Sequence, residues 1–439
     1  MIGKILPYLQ RNQELLKGSS IILALKIFFT IVGFFTSVVI TRYLSIDEAG
    51  SVFFAIALVT LLSTFSRFGL DQAIVKTFAK LRRKANGELL LTGICRQSIH
   101  YALIGAGAIA VFLSLLTLVA RNYNLLSDGY YTVLLVCALS IPLYSLISLC
   151  SAFHQGLKHS FSLAMVNGFP SVVFLACILC LFFINQLTLI NLLLLFCFSH
   201  FVVLSHQWFY WKQKLSWDAT SSEQQLDETS VAVNKDFKQL LPSMWGIACL
   251  GIIMMQGAQI IVGLLSNEVE VALFSVANRV ALVLAFLLLS LNGVLSPKFA
   301  ELSDVADRQM LKQTYRESTL LLNLMTLPLI LVCFVFAEQI LLIFGESYQQ
   351  ASSVLRVLLI AQLAKVVFGS VGQLLVMTGN SKIQRKNITL AVVTLVVFCL
   401  ALVPHYGAFG AAFATLIAVT LNNALGYYSV RNKLNISLF

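Results

Sequence analysis

The chain has 439 residues, of which 59% are hydrophobic and 11% charged, and its formal net charge is +11. Soluble domains average about 45–50% apolar and about 25% charged residues, so this composition excludes a soluble globular protein. Because the excess of Lys and Arg falls in short connections between apolar runs, it indicates membrane topology and no nucleic-acid partner.

Runs of about 20 apolar residues, the length that crosses a bilayer core, recur along the chain and predict twelve transmembrane helices. A polar tract rich in Ser, Gln and Thr, the composition of a linker, divides them into six and six. The predicted domains are an N-terminal six-helix bundle (1–211), a cytoplasmic linker (212–238) and a C-terminal six-helix bundle (239–439). The predicted spans are 19–40, 50–68, 97–120, 131–152, 161–184, 189–210, 240–265, 271–295, 318–337, 351–377, 387–404 and 407–428.

Basic residues alternate along the connections. The N-terminus, the even-numbered connections and the C-terminus hold most of them, whereas the odd-numbered connections hold Arg42 and Arg121. By the positive-inside rule both termini are cytoplasmic. The outward connections are short, so an enzyme with an external catalytic domain is not expected. We find no catalytic triad and no phosphate-binding glycine loop, and we expect no cofactor.

The sequence contains nine cysteines, most of them within apolar runs. We expect free thiols that pack as small hydrophobic side chains. Cys177 and Cys180 form a CxxC motif in mid-span, but no histidine or second pair lies nearby to complete a metal site. We therefore expect no bound metal.

Two stretches about half the chain length apart resemble each other. YLSIDEAGSVFFAIAL begins at Tyr43 and LLSNEVEVALFSVANR begins at Leu264, with Leu-Ser, an acid and Phe at matching places. This hints at a duplicated unit. The second copy adds Asn278 and Arg279, which place a full positive charge inside an apolar run.

Five cations lie within predicted spans: Lys26, Arg67, Arg279, Arg356 and Lys365. Each costs about 2.5–3.5 kcal/mol at the centre of a membrane helix. All 19 acids lie in connections or at span ends, so the sequence offers no carboxylate at the same depth. Because an unpaired buried charge requires a partner, the pattern predicts an anionic ligand.

Helical spacing places four of these cations on polar faces. Arg356 lies on the opposite face from Lys365 and is expected to reach the outer surface. Arg67 lies about one turn from the cytoplasmic end, where snorkelling and ligand contact both remain open. The polar neighbours are Ser19, Thr30, Gly33 and Ser37 for Lys26; Thr60 and Ser63 for Arg67; Ser275 and Asn278 for Arg279; and Gln362, Gly369, Gly372 and Gln373 for Lys365.

The candidate substrate-binding residues follow from these faces. The alternative for the cations is that backbone carbonyls or water satisfy them within the bundle. For the Gln256, Gln259 and Gly263 face of span seven the alternative is helix packing. The complete set is Lys26, Arg67, Gln256, Gln259, Asn278, Arg279, Gln362 and Lys365.

The chain resembles the polysaccharide and O-antigen flippases of the multidrug/oligosaccharidyl-lipid/polysaccharide (MOP) exporter superfamily. The stretches that carry the resemblance are TRYLSIDEAGSVFFAIALVTLLSTFSRFGLDQAIVK, VEVALFSVANRV with its exit LSPKFAEL, FGESYQQASSVLRVLLIAQL, and GQLLVMTGNSKIQRKN. The resemblance implies an all-α, MATE-like, V-shaped pair of six-helix bundles with a central cavity, in the bacterial inner membrane. It also implies that Lys26, Arg279 and Lys365 receive the pyrophosphate of an undecaprenyl-linked oligosaccharide.

The expected partners are this anionic lipid-linked oligosaccharide, membrane lipids, a glycan polymerase and glycosyltransferases. Related sequences often carry an acid near Gln259, and its absence argues against ion coupling through a carboxylate. Lipid II flippases of the superfamily usually have two more spans, which argues against that substrate. The rival hypotheses are a multidrug exporter of the same superfamily and a non-transporting scaffold of a glycan assembly complex.

Overall fold

The computed structural model describes residues 13–81, 87–123, 128–184, 188–214, 228–304 and 308–436. Regular structure in these ranges is helical, as expected of an all-α membrane protein. The helices are α1 (Gln13–Tyr43), α2 (Ile46–Ser66), α3 (Leu70–Leu81), α4 (Gly87–Asn122), α5 (Asp128–Gly156), α6 (Ser160–Phe183), α7 (Leu189–Lys214), α8 (Glu228–Leu265), α9 (Glu268–Asp304), α10 (Arg308–Val335), α11 (Ala337–Leu342), a 3-10 turn (Glu346–Ala351), α12 (Ser352–Phe368), α13 (Val371–Met377) and α14 (Ser381–Leu434).

Ten helices in the described ranges are long and apolar enough to cross a membrane. The difference from the predicted twelve spans has two sources. The eighth predicted span lies in α9, a helix of 37 residues that is not among the ten. The last two predicted spans lie together in α14, which counts once.

Helix α14 reverses direction at Gly407, whose φ of 50° and ψ of −129° are not helical. A Cβ on Gly410 would lie 2.6 Å from the carbonyl oxygen of Leu402, although eight residues of continuous helix extend about 12 Å. The Glu270 carboxylate accepts the Ala408 N–H at 2.6 Å just after the reversal. The 54-residue element is therefore two helices, as the predicted spans 387–404 and 407–428 required.

The predicted span 351–377 is wrong as a single helix. It begins as a 3-10 turn and α12, and the helix then ends at Gly369, which has a φ of 64° and ψ of −145°. A Cβ at Gly369 would lie 2.3 Å from Thr319 Oγ1 on α10. Close packing therefore requires glycine at the break, and α13 resumes after Ser370.

Two further elements differ from the sequence prediction. Helices α7 and α8 extend through Lys214 and from Glu228, so both ends of the predicted linker are helical, and its middle lies outside the described residues. Helix α3, in the second predicted connection, was not anticipated. Its apolar face is buried in a core cluster, where Phe78 stacks on Phe153 with ring centroids 5.8 Å apart.

Contacts divide the chain into two compact units. Unit 1 is Met1–Thr36 and Leu62–Ala248, and unit 2 is Ser37–Leu61 and Cys249–Phe439. The end of α1 and most of α2 thus group with the C-terminal helices. This grouping differs from the predicted boundaries, which keep the first 211 residues together.

The two duplicated stretches lie against each other within unit 2, each at the start of a long helix. At α2, Ser45 and Glu48 form a capping box, in which the Ser45 N–H donates to Glu48 Oε2 at 3.2 Å and the Glu48 N–H donates to Ser45 Oγ at 3.3 Å. At α9, Asn267 Oδ1 accepts the Glu270 N–H at 3.0 Å. A Cβ on Gly50 would clash with the carbonyl oxygen of Glu268, so glycine permits the approach.

Candidate functional site

Arg279 lies in α9 and its guanidinium contacts the two other segments that surround it in unit 2. Nη1 donates a hydrogen bond to Ser37 Oγ on α1. The guanidinium carbon lies 4.5 Å from the ring centroid of Phe53 on α2, a cation–π contact. Ser37 and Phe53 are fully buried. Within the described ranges, the partners of Arg279 are thus a hydroxyl and an aromatic face, and neither is a carboxylate.

Gln259 supports the same aromatic residue from α8. Its Nε2 donates to the backbone oxygen of Phe53 at 2.7 Å, and its side chain is buried. On the same helix, a Cβ at Gly263 would lie 2.2 Å from the Phe54 ring. These contacts favour helix packing over ligand contact for the Gln259 and Gly263 face.

Asn278 and Gln256 are partly buried, and Asn278 is the chain neighbour of Arg279. The predicted face of α9 also includes Ser275, whose Oγ is buried without a hydrogen-bond partner among the described residues. The structure therefore brings Arg279 and Gln259 together around Phe53. For Asn278 and Gln256, substrate binding stays a prediction.

Lys365 is partly buried in the last turn of α12, just before the break at Gly369. Helix C-termini carry a partial negative charge, which stabilises a nearby cation. Two α10 side chains bind the carbonyls of this turn: Tyr315 Oη donates to the Phe368 oxygen at 2.7 Å and Asn323 Nδ2 to the Val366 oxygen at 3.2 Å. These hydrogen bonds from α10 stabilise the helix break. The sequence analysis did not identify Tyr315 or Asn323.

Gln362 lies one turn before Lys365 and is partly buried. Its Oε1 is buried and has no hydrogen-bond partner among the described residues. An unsatisfied buried carbonyl costs about 1–3 kcal/mol, so this amide has capacity for a donor that the described protein atoms do not supply.

Lys26 belongs to unit 1 and its side chain is exposed on α1. Thr30 Oγ1 donates to the Lys26 carbonyl oxygen at 2.8 Å, which is local helix bonding. Nothing lies within 4 Å of a Cβ built on Gly33, two turns further on. The face that carries Lys26 is open, and its role in substrate binding stays a prediction.

Arg67 has a carboxylate partner, contrary to the expectation that buried cations lack one. Its Nε lies 2.7 Å from Asp71 Oδ2, and Nη2 donates to Thr64 Oγ1 at 3.2 Å. The residue is 5% exposed, so it does not snorkel. The sequence indicates this pair, because an Arg and an Asp four residues apart can meet on a helix, although Asp71 lies in a predicted connection.

Arg356, the fifth cation, lies near the start of α12 and is partly exposed. Its Nη2 is 3.1 Å from Glu338 Oε1, and its Nε donates to the Phe334 oxygen at 3.4 Å. This ion pair agrees with its exclusion from the candidate site. The eight candidate residues thus divide into two in unit 1 and six in unit 2.

Solved structures of transporters share this fold. The lipid II flippase MurJ in an inward closed conformation has a TM-score of 0.71 at 14% identity, covering 94% of this chain and 87% of that one. An inward-facing multidrug resistance MATE family transporter of the MOP superfamily has a TM-score of 0.70 at 14% identity, covering 95% and 98%. A MOP superfamily transporter from Pyrococcus furiosus has a TM-score of 0.65 at 12% identity, covering 95% and 94%.

The apolar helices and these matches define the class as a multi-pass, all-α protein with the fold of MOP superfamily transporters. A family profile described as MatE matches residues 247–403. A profile described as polysaccharide biosynthesis protein matches residues 15–303, more than half of the chain, and the chain belongs to this family. No curated protein gives a significant match.

Proposed function

We propose that this transporter is a flippase for an anionic, undecaprenyl-pyrophosphate-linked oligosaccharide, the repeat unit of an O-antigen, capsule or exopolysaccharide. It moves this unit from the cytoplasmic to the outer leaflet of the bacterial inner membrane by alternating access. Both termini are cytoplasmic in this proposal. Membership of the polysaccharide biosynthesis family supports the substrate class.

The observation that carries the proposal is the environment of Arg279. A guanidinium has five N–H donors, and the contact with Ser37 uses one nitrogen of Arg279. The Phe53 ring stabilises its charge from one side without neutralising it. A phosphate oxygen is the acceptor that such a planar fork prefers.

Lys365 supplies a second positive group in unit 2. It lies just before a helix break, and interrupted helices in membrane transporters occur where the backbone is buried in protein or borders a water-filled cavity. Gln362, with its buried carbonyl oxygen, is suited to a sugar hydroxyl or amide donor. We assign Arg279 and Lys365 to the pyrophosphate and Gln362 to the glycan.

The physical need for such a protein follows from the substrate. Neither a pyrophosphate nor a hydroxyl-rich glycan can leave water for hydrocarbon without a large cost, whereas the lipid tail can stay in the bilayer. With the cell interior negative, outward movement of an anionic headgroup is favoured by about 2.3 kcal/mol per charge per 100 mV. A glycan polymerase and glycosyltransferases are the partners that would consume and supply the substrate.

The MatE profile match favours one rival, a multidrug exporter. Cationic drugs would require carboxylates within the membrane, whereas the 19 acids of this chain lie in connections or at span ends by the sequence assignment. Efflux of a cationic dye that depends on the protein, without an effect on surface glycan, would favour the exporter.

The test is substitution of the two cations in cells whose surface polysaccharide depends on this protein. Arg279→Gln and Lys365→Gln should each lower the appearance of lipid-linked oligosaccharide in the outer leaflet by roughly tenfold or more, the worth of a charge-assisted hydrogen bond. Arg356→Gln is the matched control, since it removes a cation that is paired with Glu338. Translocation retained in both variants at equal protein levels would remove these residues from the mechanism.

A further inference from the structure

Unit 1 contains an apolar cavity, and none of the candidate substrate residues lines it. Its volume is about 130 Å³, and α4, α5 and α7 line it with hydrophobic side chains and two thiols. The lining residues are Cys95, Ile99, Leu103, Leu146, Cys150, Phe153, Leu204, Trp208 and Trp211. Apolar cavities of about 150 Å³ stay dry and bind hydrocarbons of benzene size, so this one fits a segment of an alkyl chain.

The cavity opens at the surface of the unit. Phe153 and Trp211 are buried at its inner wall, with ring centroids 5.7 Å apart. Leu103 and Trp208 at its mouth are 44% and 56% exposed. Because α4 and α7 are long and apolar enough to span a membrane, we expect acyl chains to surround these exposed side chains at the open side of the cavity.

Two exposed cations lie about one helical turn from residues that line the cavity, on α4 and α7. Arg96 shares a face of α4 with Ile99 and Leu103 at helical spacings of three and seven, and Lys212 follows Trp208 on α7 by four residues. Both lie just outside the predicted apolar runs, 97–120 and 189–210, at the level where lipid headgroups and interfacial Trp residues occur. Basic groups between transmembrane helices at this level bind anionic headgroups.

We propose that this cavity is a binding site for one anionic membrane phospholipid, with an acyl chain in the Phe153–Trp211 cavity and its phosphate between Arg96 and Lys212. The site shares no residue with the proposed substrate set and does not depend on the flippase assignment. The apolar wall supplies affinity for any alkyl chain. The two cations select a negatively charged headgroup.

The buried Trp211 provides a direct readout. The chain has four tryptophans, and a Trp208→Phe, Trp217→Phe, Trp245→Phe variant leaves Trp211 as the fluorophore. This variant, reconstituted in phosphatidylcholine vesicles, is titrated with phosphatidylglycerol or phosphatidylcholine brominated in the acyl chain. We expect brominated phosphatidylglycerol to quench Trp211 with saturation at a low mole fraction, and brominated phosphatidylcholine to require a far higher one.

Matched variants separate the two halves of the site. Arg96→Gln with Lys212→Gln should weaken the apparent affinity for phosphatidylglycerol roughly 25-fold, about a factor of five for each basic group near the membrane surface. Arg385→Gln with Lys386→Gln, an exposed basic pair on α14, is the control and should leave quenching unchanged. Cys150→Phe, which fills the cavity, should abolish quenching by either lipid.

A second measurement uses the unaltered protein. Native mass spectrometry of wild type should retain one phosphatidylglycerol adduct that the Arg96→Gln, Lys212→Gln variant loses. The proposal is overturned if Trp211 is not quenched, if both brominated lipids quench it equally, or if the adduct survives neutralisation of both cations. Displacement of the quencher by a polyprenyl phosphate but not by unlabelled phosphatidylglycerol would also overturn it.

Discussion

Arg67 and Arg279 both lie in apolar surroundings, but different groups contact their guanidinium charges. Arg67, at the junction of α2 and α3, meets a carboxylate 2.7 Å away on the next helix. Arg279, within α9, meets a hydroxyl and an aromatic ring. One charge is neutralised by the protein and the other is held in place without neutralisation.

This difference separates a structural cation from a candidate ligand-binding one. A buried cation with a carboxylate partner contributes no field for an anionic ligand, because the pair is close to neutral. A cation held by a hydroxyl and a ring keeps its full charge. The comparison can be tested by removing each partner in turn and measuring folding and transport separately.

The largest effect is expected at the paired arginine. Asp71→Asn leaves the Arg67 charge buried, and loss of one partner of a buried ion pair costs about 3–5 kcal/mol. Because Asp71 keeps 28% of its side chain exposed, we expect the low end of that range. Detergent-solubilised protein should show a lower unfolding midpoint by intrinsic fluorescence.

The control for this experiment is the double variant Arg67→Gln, Asp71→Asn, which removes both charges and should recover part of the loss. If Asp71→Asn unfolds at the wild-type midpoint, the ion pair does not stabilise the protein. The contrast with Arg279 would then disappear.

For Arg279→Gln we expect the reverse of Asp71→Asn, with little loss of stability and a large loss of transport. Arg279→Gln keeps an amide donor and loses the cation–π contact with Phe53, but it also removes the cost of burying a charge without a carboxylate partner. These effects oppose each other, so the unfolding midpoint should stay close to wild type. Transport should fall, because a charge-assisted hydrogen bond contributes about 1.5–3 kcal/mol, which corresponds to roughly 10- to 100-fold. The two quantities are measured on the same preparation by thermal unfolding and by translocation.

An equal loss of stability and transport in Arg279→Gln would identify this arginine as structural, like Arg67. Arg279→Lys sharpens the distinction. It keeps the positive charge and loses the planar fork, so transport should lie between those of wild type and Arg279→Gln.

Much of the fold follows from the sequence, but the partners of the cations do not. Apolar run length predicts the helices, and helical spacing places Ser37 and Arg279 on polar faces. That Ser37 and Arg279 meet each other depends on the packing of α1 against α9, which no local spacing specifies. Similarly, the break at Gly369 depends on the close approach of Thr319 on α10, so a run of apolar residues alone predicted one continuous span.

Phe53 links two of the candidate residues, because its ring faces Arg279 and its carbonyl accepts from Gln259. Phe53→Leu keeps a branched apolar side chain at this position but removes the aromatic ring that faces Arg279. A desolvated cation–π contact is worth about 2 kcal/mol. Because this contact positions the Arg279 guanidinium, its loss should weaken the affinity for an anionic ligand, by up to roughly 30-fold. The measurement is the concentration dependence of translocation, with Phe54→Leu on the same helix as the control.

The smallest change in stability is expected for Gln362→Leu. The direction of that change, compared with the change in transport, shows whether Gln362 serves packing or ligand binding. Leucine removes the buried Oε1 that has no partner among the described residues, and such a replacement is close to neutral or slightly stabilising, within about 1 kcal/mol. If Gln362 serves packing alone, Gln362→Leu leaves transport unchanged. We expect transport to fall several-fold while the unfolding midpoint holds or rises, because the amide is assigned to the glycan. A fall in both would mean that the carbonyl has a structural partner, and Gln362 would then belong with Arg67 and not with Arg279.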